Sequence, residues 1–215
     1  MHGATDGRIG YLHVPDMVGT GWAELHRDLR VEVAREGLVI DVRDNRGGHT
    51  SALVLETLGR TVRAWDVGRH ISPMAYPPHA PRGPRVLVVN EQAGSDGDIV
   101  TAGFRQLGLG PIVGTRTWGG VIGIDSRYQL VDGTGVTQPR YAFWFTDLGW
   151  SVENHGVDPD VEVAVTPEDW AAGRDPQLDR AIALVLEALA SARAVSPPDR
   201  VTRPSRTPPP LAPRP

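Results

Sequence analysis

The stretch of sequence that decides the fold of this chain is residues 86–99, VLVVNEQAGSDGDI. Its first four residues form a short apolar run, which is typical of a buried strand. Small and polar residues follow, and from Ile99 apolar residues recur at helical spacing as far as Leu107. The stretch therefore predicts a strand, a tight turn and a helix, with Ser95 at or near the helix N-terminus.

Ser95 has two interpretations at such a turn. A serine beside the free backbone N–H groups and the positive end of a helix can attack a carbonyl, and those N–H groups can stabilise the oxyanion that forms. Alternatively, Ser95 is an N-cap whose hydroxyl accepts a hydrogen bond from the first turn of the helix. The rest of the chain favours the nucleophile.

Strand-like and helix-like patterns alternate on both sides of this stretch. Apolar patterns predict strands over 8–14, 38–40, 61–65, 85–90, 111–113, 119–130, 140–145 and 161–165. Helical spacing predicts helices over 22–33, 50–58, 95–107 and 178–189, and the proline-rich residues 71–84 predict a loop. The alternation indicates an α/β fold with a largely parallel core sheet and an antiparallel addition in the second half. Functional sites of such folds gather at the carboxyl ends of strands.

The chain length of 215 residues fits one domain with short appendages. We expect an N-terminal leader over residues 1–7, a catalytic core over 8–195, and a disordered Pro- and Arg-rich tail over 196–215.

Composition excludes several classes of function. The net charge of −4 gives no reason to expect nucleic acid or a membrane surface as a partner, and no apolar stretch is long enough to span a bilayer. The chain has no cysteine and no lysine, which excludes thiol catalysis and any lysine base within it. No secretory signal is visible at the N-terminus, so we expect a cytoplasmic protein.

Two further loops could carry chemistry. Residues 41–48, DVRDNRGG, end a predicted strand in two glycines, whose backbone N–H groups can point at a ligand. Glu153 lies in a polar segment that could orient a base, although a surface carboxylate is the simpler interpretation. None of the seven histidines has metal-ligand spacing, and only His49 and His155 adjoin these loops. No metal or cofactor is therefore expected.

Together these segments resemble the tricorn branch of the C-terminal-processing serine peptidases. Four motifs occur in the family's order: DVRDNRGG (41–48), AGSDGD (93–98), GTRTWGG (114–120) and GVDPDV (156–161). The resemblance implies a β/α spiral of the ClpP/crotonase type, a peptide substrate and a homo-oligomer. By position it implies that Ser95 is the nucleophile, that Gly48 and Asp96 supply the oxyanion N–H groups, and that Glu153 is the family's glutamate. Asp66 matches an acidic residue, donated by a neighbouring subunit, that recognises a basic side chain of the substrate.

The resemblance also distinguishes two branches of the family. The processing peptidases carry a lysine base where this chain has Gly120, so a Ser–Lys pair is excluded. Tricorn-type enzymes use a Ser–His pair supported by a second serine and a glutamate, and the histidine and second serine lie upstream, before a PDZ-like domain. Residue 8 already enters the segment that matches the last catalytic subdomain. The chain is then a fragment, a subunit completed by another chain, or a degenerate relative.

Three functions remain open on the sequence. The first is a peptidase subdomain that hydrolyses oligopeptides by acyl transfer through Ser95. The second is a non-catalytic peptide-binding or assembly module that keeps the fold. The third is a crotonase-like acyl-CoA enzyme, against which both Ser95 at the helix start and Glu153 argue.

Overall fold

The computed structural model describes residues 3, 5–201, 207, 208 and 210. Their strands are β1 (Ile9–His13), β2 (Gly37–Asp41), β3 (Ala64–Asp66), β4 (Met74–Tyr76), β5 (Arg85–Val89), β6 (Ile112–Gly114), β7 (Gly123–Asp125), β8 (Gln138–Tyr141) and β9 (Val161–Glu162). Their helices are α1 (Gly19–Glu32), α2 (Ser51–Leu58), α3 (Asp96–Gln106), α4 (Pro167–Ala171) and α5 (Pro176–Ser191).

Five strands form one parallel sheet in the order β1-β2-β5-β6-β9. Two antiparallel pairs, β3–β4 and β7–β8, project from it. The predicted fold class, an α/β fold with a largely parallel core and an antiparallel addition, is confirmed. The carboxyl ends of β2 and β5 lead directly into the DVRDNRGG loop and the Ser95 turn, which brings both loops to one edge of the sheet.

Burial on both faces explains why the central strands are continuously apolar. All five residues of β2 are buried. Leu38 and Ile40 point into a core that includes residues of α1, α2 and α3, whereas Val39 points into a second core formed with α5. Because helices cover both faces of the sheet, its strands need no polar face.

The antiparallel parts differ from the sequence predictions. The strand expected over 61–65 is Ala64–Asp66, and the loop expected over 71–84 contains β4. The long strands expected over 119–130 and 140–145 shrink to β7 and β8. These segments form only two-stranded pairs, and their side chains are largely exposed. No buried face imposes an alternating apolar pattern on them, so the sequence could not define where these strands begin and end.

Helix α4 was missed by apolar periodicity because it buries none of its residues. Its start nevertheless carries a sequence signature, since Thr166 and Asp169 form a capping box around Pro167 at the first turn.

Part of the expected leader (residues 1, 2 and 4) and part of the expected tail (residues 202–206, 209 and 211–215) lie outside the described residues. Within the described tail, Arg200 donates hydrogen bonds to three carbonyl oxygens of residues 68–71. No described helix has both the length and the apolar character that crossing a bilayer requires.

Candidate active site

Ser95 joins β5 to α3 in a conformation that few non-glycine residues adopt, with φ +54° and ψ −116°. Such backbone strain is concentrated at functional sites, and a sharp strand-to-helix turn is the geometry that exposes a nucleophilic serine at the top of a sheet. The Ser95 side chain makes no capping hydrogen bond to α3, so the N-cap hypothesis is wrong for its hydroxyl. Ser95 is half-buried, and its hydroxyl has no hydrogen-bond partner among the described residues.

The DVRDNRGG loop packs directly against this turn. A Cβ on Gly47 (φ +91°) would lie 2.5 Å from Ser95 Cβ and 2.9 Å from the Asp96 nitrogen. A Cβ on Gly48 (φ +150°) would lie 2.1 Å from the carbonyl oxygen of Met17. The two glycines are needed because the backbone of this loop approaches Ser95 on one side and the end of β1 on the other.

Two backbone N–H groups near Ser95 are left without an acceptor in the described part of the chain. Two neighbouring donors are in use: Gly47 N–H bonds Asn45 Oδ1 at 2.9 Å, and Gly94 N–H bonds the Asn45 carbonyl at 2.9 Å. Those of Gly48 and Asp96 have no such partner. Gly48 follows Gly47, which packs against Ser95, and Asp96 follows Ser95 directly. That their N–H groups form an oxyanion hole stays a prediction.

Asp98 is a buried carboxylate near the Ser95 turn that was not predicted from the sequence as part of the site. Its Oδ1 accepts hydrogen bonds from Thr117 Oγ1 (2.5 Å) and Gly119 N–H (2.9 Å), and its Oδ2 accepts one from Gly120 N–H at 3.2 Å. Burial raises the pKa of Asp98, and these hydrogen bonds partly oppose the rise. The only feature of the sequence that could have indicated this role is the position of Asp98, three residues after Ser95. Asp98 thereby fixes the glycine-rich segment 117–120 against the Ser95 turn.

Glu153 contacts the same segment from the other side. Its Oε2 accepts hydrogen bonds from the backbone N–H groups of Val121 (2.7 Å) and Ile122 (3.0 Å). The following residue, Asn154, donates its N–H to the Gly119 carbonyl at 2.7 Å. Glu153 is half-buried, and its Oε1 has no hydrogen-bond partner among the described residues. The carboxylate is therefore held rigidly through one oxygen and keeps the other for a further partner.

No imidazole of the described residues is hydrogen-bonded to Ser95. His155 Nε2 lies 2.9 Å from Asp158 Oδ2, and the ring is half-exposed. His49 is anchored through its backbone N–H to the Met17 carbonyl and its side chain is exposed. Neither of the two histidines beside the candidate loops is thus placed as a partner of the serine.

Asp66 is not brought to this site within a single chain. It lies in β3, is exposed, and pairs through its backbone with Met74 of β4. The cavity next to Ser95 does not include it. A role for Asp66 in substrate recognition stays a prediction, which the resemblance assigns to a neighbouring subunit.

A cavity of about 270 Å³ adjoins the Ser95 turn, lined by Arg46, Glu91, Gln92, Gly94 and Trp118. The hydrogen bond from Thr115 Oγ1 lowers the pKa of Glu91, so this carboxylate is ionised at neutral pH. A larger cavity, about 790 Å³, lies over Arg43 and shares Glu91 with the first. The smaller cavity touches the Ser95 turn through Gly94. The described residues contain no group of three or more side chains suited to hold a metal ion.

Residues 8–163 match the family model described as peptidase family S41. The chain belongs to peptidase family S41.

Relatives that match most of this chain carry the tricorn name. The chain is 67% identical over 198 residues to "Tricorn protease homolog 1" of Streptomyces coelicolor, which covers 92% of this chain and 19% of the relative. It is 48% identical over 189 residues to "Putative Tricorn-like protease C-terminal subunit" of Sulfurisphaera tokodaii, covering 88% of this chain and 22% of the relative. A solved structure titled "Crystal structure of the tricorn protease" superposes with a TM-score of 0.84 at 48% identity, over 87% of this chain and 18% of that one.

These matches confirm the resemblance to the tricorn branch. The chain spans only about a fifth of the length of the relatives it matches. The activity, substrates and assembly of those longer proteins are therefore proposals for this chain.

Proposed function

We propose that this chain is the nucleophile-bearing subdomain of a serine peptidase that hydrolyses oligopeptides by acyl transfer through Ser95. The observation that carries the proposal is the strained Ser95 turn with its free hydroxyl, beside the unoccupied N–H groups of Gly48 and Asp96. Membership of peptidase family S41 supports it.

In the proposed reaction a histidine removes the proton of Ser95 as Oγ attacks the substrate carbonyl carbon. The N–H groups of Gly48 and Asp96 stabilise the resulting oxyanion. The tetrahedral intermediate then expels the amine, which takes the proton from the imidazolium, and leaves an ester on Ser95. Water attacks this ester with the histidine again acting as base, releasing the carboxylic acid and restoring the serine.

The proposed source of the histidine is a polypeptide segment outside the described residues. An unassisted serine hydroxyl is a weak nucleophile near neutral pH, and no described imidazole bonds Ser95. Glu153 is the proposed partner of that incoming segment, because one carboxylate oxygen is fixed by two backbone N–H groups and the other is free.

The proposed assembly is a homo-oligomer in which the exposed Asp66, which does not line the cavity beside Ser95, reaches the substrate of a neighbouring subunit. There Asp66 would select substrates with Arg or Lys before the scissile bond, since a partly desolvated carboxylate favours a cation. The proposed location is the cytoplasm.

A chimera tests this function. This chain replaces the matching segment of the Streptomyces coelicolor relative, so that any missing base is supplied by the rest of that protein. We expect the chimera to hydrolyse a fluorogenic peptide with arginine before the scissile bond, the 215-residue chain alone to show little hydrolysis, and Ser95→Ala in the chimera to show none. Hydrolysis by the Ser95→Ala chimera would contradict the proposal.

One observation favours a second candidate, a non-catalytic peptide-binding module. Ser95 has no base among the described residues. If the folded chimera binds the peptide but neither hydrolyses it nor reacts with a fluorophosphonate, the binding module is the correct function.

A further inference from the structure

Asn45 is a fully buried amide that contacts three separate segments around the candidate site. Its Nδ2 donates to the Val14 carbonyl after β1 at 2.7 Å, and its Oδ1 accepts from the Gly47 N–H at 2.9 Å. Its backbone carbonyl accepts from the Gly94 N–H, also at 2.9 Å. One residue therefore links the end of β1, the glycine loop and the nucleophile turn.

The orientation of the Asn45 amide is fixed by its partners. A backbone carbonyl can only accept a hydrogen bond and a backbone N–H can only donate one. The amide nitrogen must therefore face Val14, and the amide oxygen must face Gly47. A carboxylate in the same place could accept from Gly47 but would repel the Val14 oxygen.

These bonds determine which N–H groups remain for a ligand. The Asn45 side chain occupies the Gly47 N–H, and the next residue along the loop, Gly48, keeps its own N–H free. The Asn45 carbonyl holds Gly94, the residue before Ser95, and a Cβ on Gly97 would come within 3.0 Å of that carbonyl. Both halves of the candidate oxyanion hole are thus fixed with respect to one buried residue.

Resting on the proposed function, we propose that Asn45 is the positioning residue of the oxyanion hole: it sets the N–H groups of Gly48 and Asp96 at the spacing that a tetrahedral intermediate requires. Asn45 does not touch the substrate itself. It acts through its hydrogen bonds to the Gly47 N–H in one loop and to the Gly94 N–H in the other.

A second link between the same loops lies at the exposed rim. Asp44 N–H donates to Asn90 Oδ1 at 2.9 Å, and Asn90 Nδ2 donates to Asp44 Oδ1 at 3.0 Å. Water can replace these exposed bonds, whereas it cannot reach Asn45. The rim pair therefore cannot substitute for the buried amide.

The test is Asn45→Asp in the chimera, followed by the rate of fluorophosphonate labelling of Ser95 from pH 5 to pH 9. In labelling, Ser95 Oγ forms a bond to phosphorus, fluoride leaves, and the proton passes to the base. The phosphoryl oxygen of the product occupies the oxyanion hole. When protonated, the introduced carboxyl can still donate to Val14. When ionised, it cannot, and burial raises its pKa.

We expect the ratio of variant to wild-type labelling rates to be near one at pH 5 and to fall about 100-fold by pH 9, the loss typical of one oxyanion donor. Affinity for an acetylated peptide ending in arginine should stay within about twofold, because ground-state binding uses the hole little. The matched control is Gln129→Glu, an amide-to-carboxylate change at an exposed residue away from the candidate site, whose ratio should stay near one at every pH.

Hydrogen exchange on the unmodified 215-residue chain gives a readout that needs no variant. The amides of Gly47 and Gly94 should be protected, and those of Gly48 and Asp96 should exchange faster by at least tenfold. Equal protection of all four amides would overturn the positioning role, as would a pH-independent labelling ratio for Asn45→Asp. A wild-type chimera that is folded but never labelled would instead overturn the proposed function, and this inference with it.

Discussion

Gly47→Ala is the substitution whose consequence follows most directly from the site geometry. The added methyl would lie 2.5 Å from Ser95 Cβ, 2.9 Å from the Asp96 nitrogen and 3.0 Å from the Gly94 carbonyl oxygen. None of these atoms is the end of a flexible side chain, so the loop itself must move. We expect both stability and Ser95 reactivity to fall.

The size of the stability loss can be worked out in three steps. A positive φ costs a non-glycine residue about 1–2 kcal/mol, and forcing a methyl into packed surroundings costs about 1–3 kcal/mol. Alanine recovers about 0.4–1 kcal/mol by restricting the unfolded chain. Gly47→Ala should therefore lower the free energy of unfolding by about 1–5 kcal/mol.

The matched control is Gly133→Ala. Gly133 has a nearly equal φ of +82° against +91° for Gly47, but a Cβ there would meet nothing within 4 Å. Gly133→Ala therefore measures the backbone cost without a clash. The free energies of unfolding of the two variants should differ by the cost of the clash, about 2 kcal/mol. For a chain of this size that difference is about 4–8 °C in Tm.

Thermal unfolding of the 215-residue chain by circular dichroism measures the difference, and fluorophosphonate labelling of the chimera measures reactivity. Labelling should fall about 100-fold or more for Gly47→Ala, because the displaced loop no longer offers its N–H group, and should be unchanged for Gly133→Ala. Equal Tm values for the two variants, with wild-type labelling in both, would refute this account of the loop.

Three further predictions concern side chains. Ser95→Ala should abolish labelling and hydrolysis in the chimera while changing the unfolding free energy by no more than about 0.5 kcal/mol, since no capping bond is lost; a large fall in Tm would show a structural role. Asp66→Asn should reduce the preference for arginine over leucine before the scissile bond, and an unchanged ratio of the two kcat/KM values would remove Asp66 from the pocket. Burial raises the pKa of Asp98, so the folded state holds its proton more firmly than the unfolded state. The contribution of Asp98 to stability then falls as pH rises from about 4 through its folded pKa. Urea unfolding from pH 3.5 to pH 7 should show this fall in the wild type but not in Asp98→Asn. Parallel plots of unfolding free energy against pH for the two proteins would contradict it.

The sequence predicts the parallel core well, because buried strands such as β2 are continuously apolar and the helices that cover them have apolar stripes. It predicts the projecting pairs β3–β4 and β7–β8 poorly, because their largely exposed side chains have no core to impose a period. Their extent is set by pairing between segments that are distant in sequence.

The same contrast holds at the site. The Ser95 turn and the glycine loop beside it could be predicted, because a strand-to-helix turn and paired glycines have local signatures. The support from Asp98 and Asn45 could not, because it consists of hydrogen bonds to Thr117 and Val14, which lie far away along the chain. Composition and spacing do not encode which buried acceptor meets which donor.

The most direct test of the central claim, that Ser95 is the nucleophile, is to locate the acyl group during turnover. The chimera is mixed with a peptide p-nitrophenyl ester that has arginine at its acyl end, quenched in acid within the first turnover, digested with trypsin and analysed by mass spectrometry. Residues 86–105 form one tryptic fragment, and Ser95 is its only serine. The account predicts that this fragment gains the mass of the acyl group at Ser95. Release of p-nitrophenol with no acylated 86–105 fragment, or equal acylation of the Ser95→Ala chimera, would contradict it.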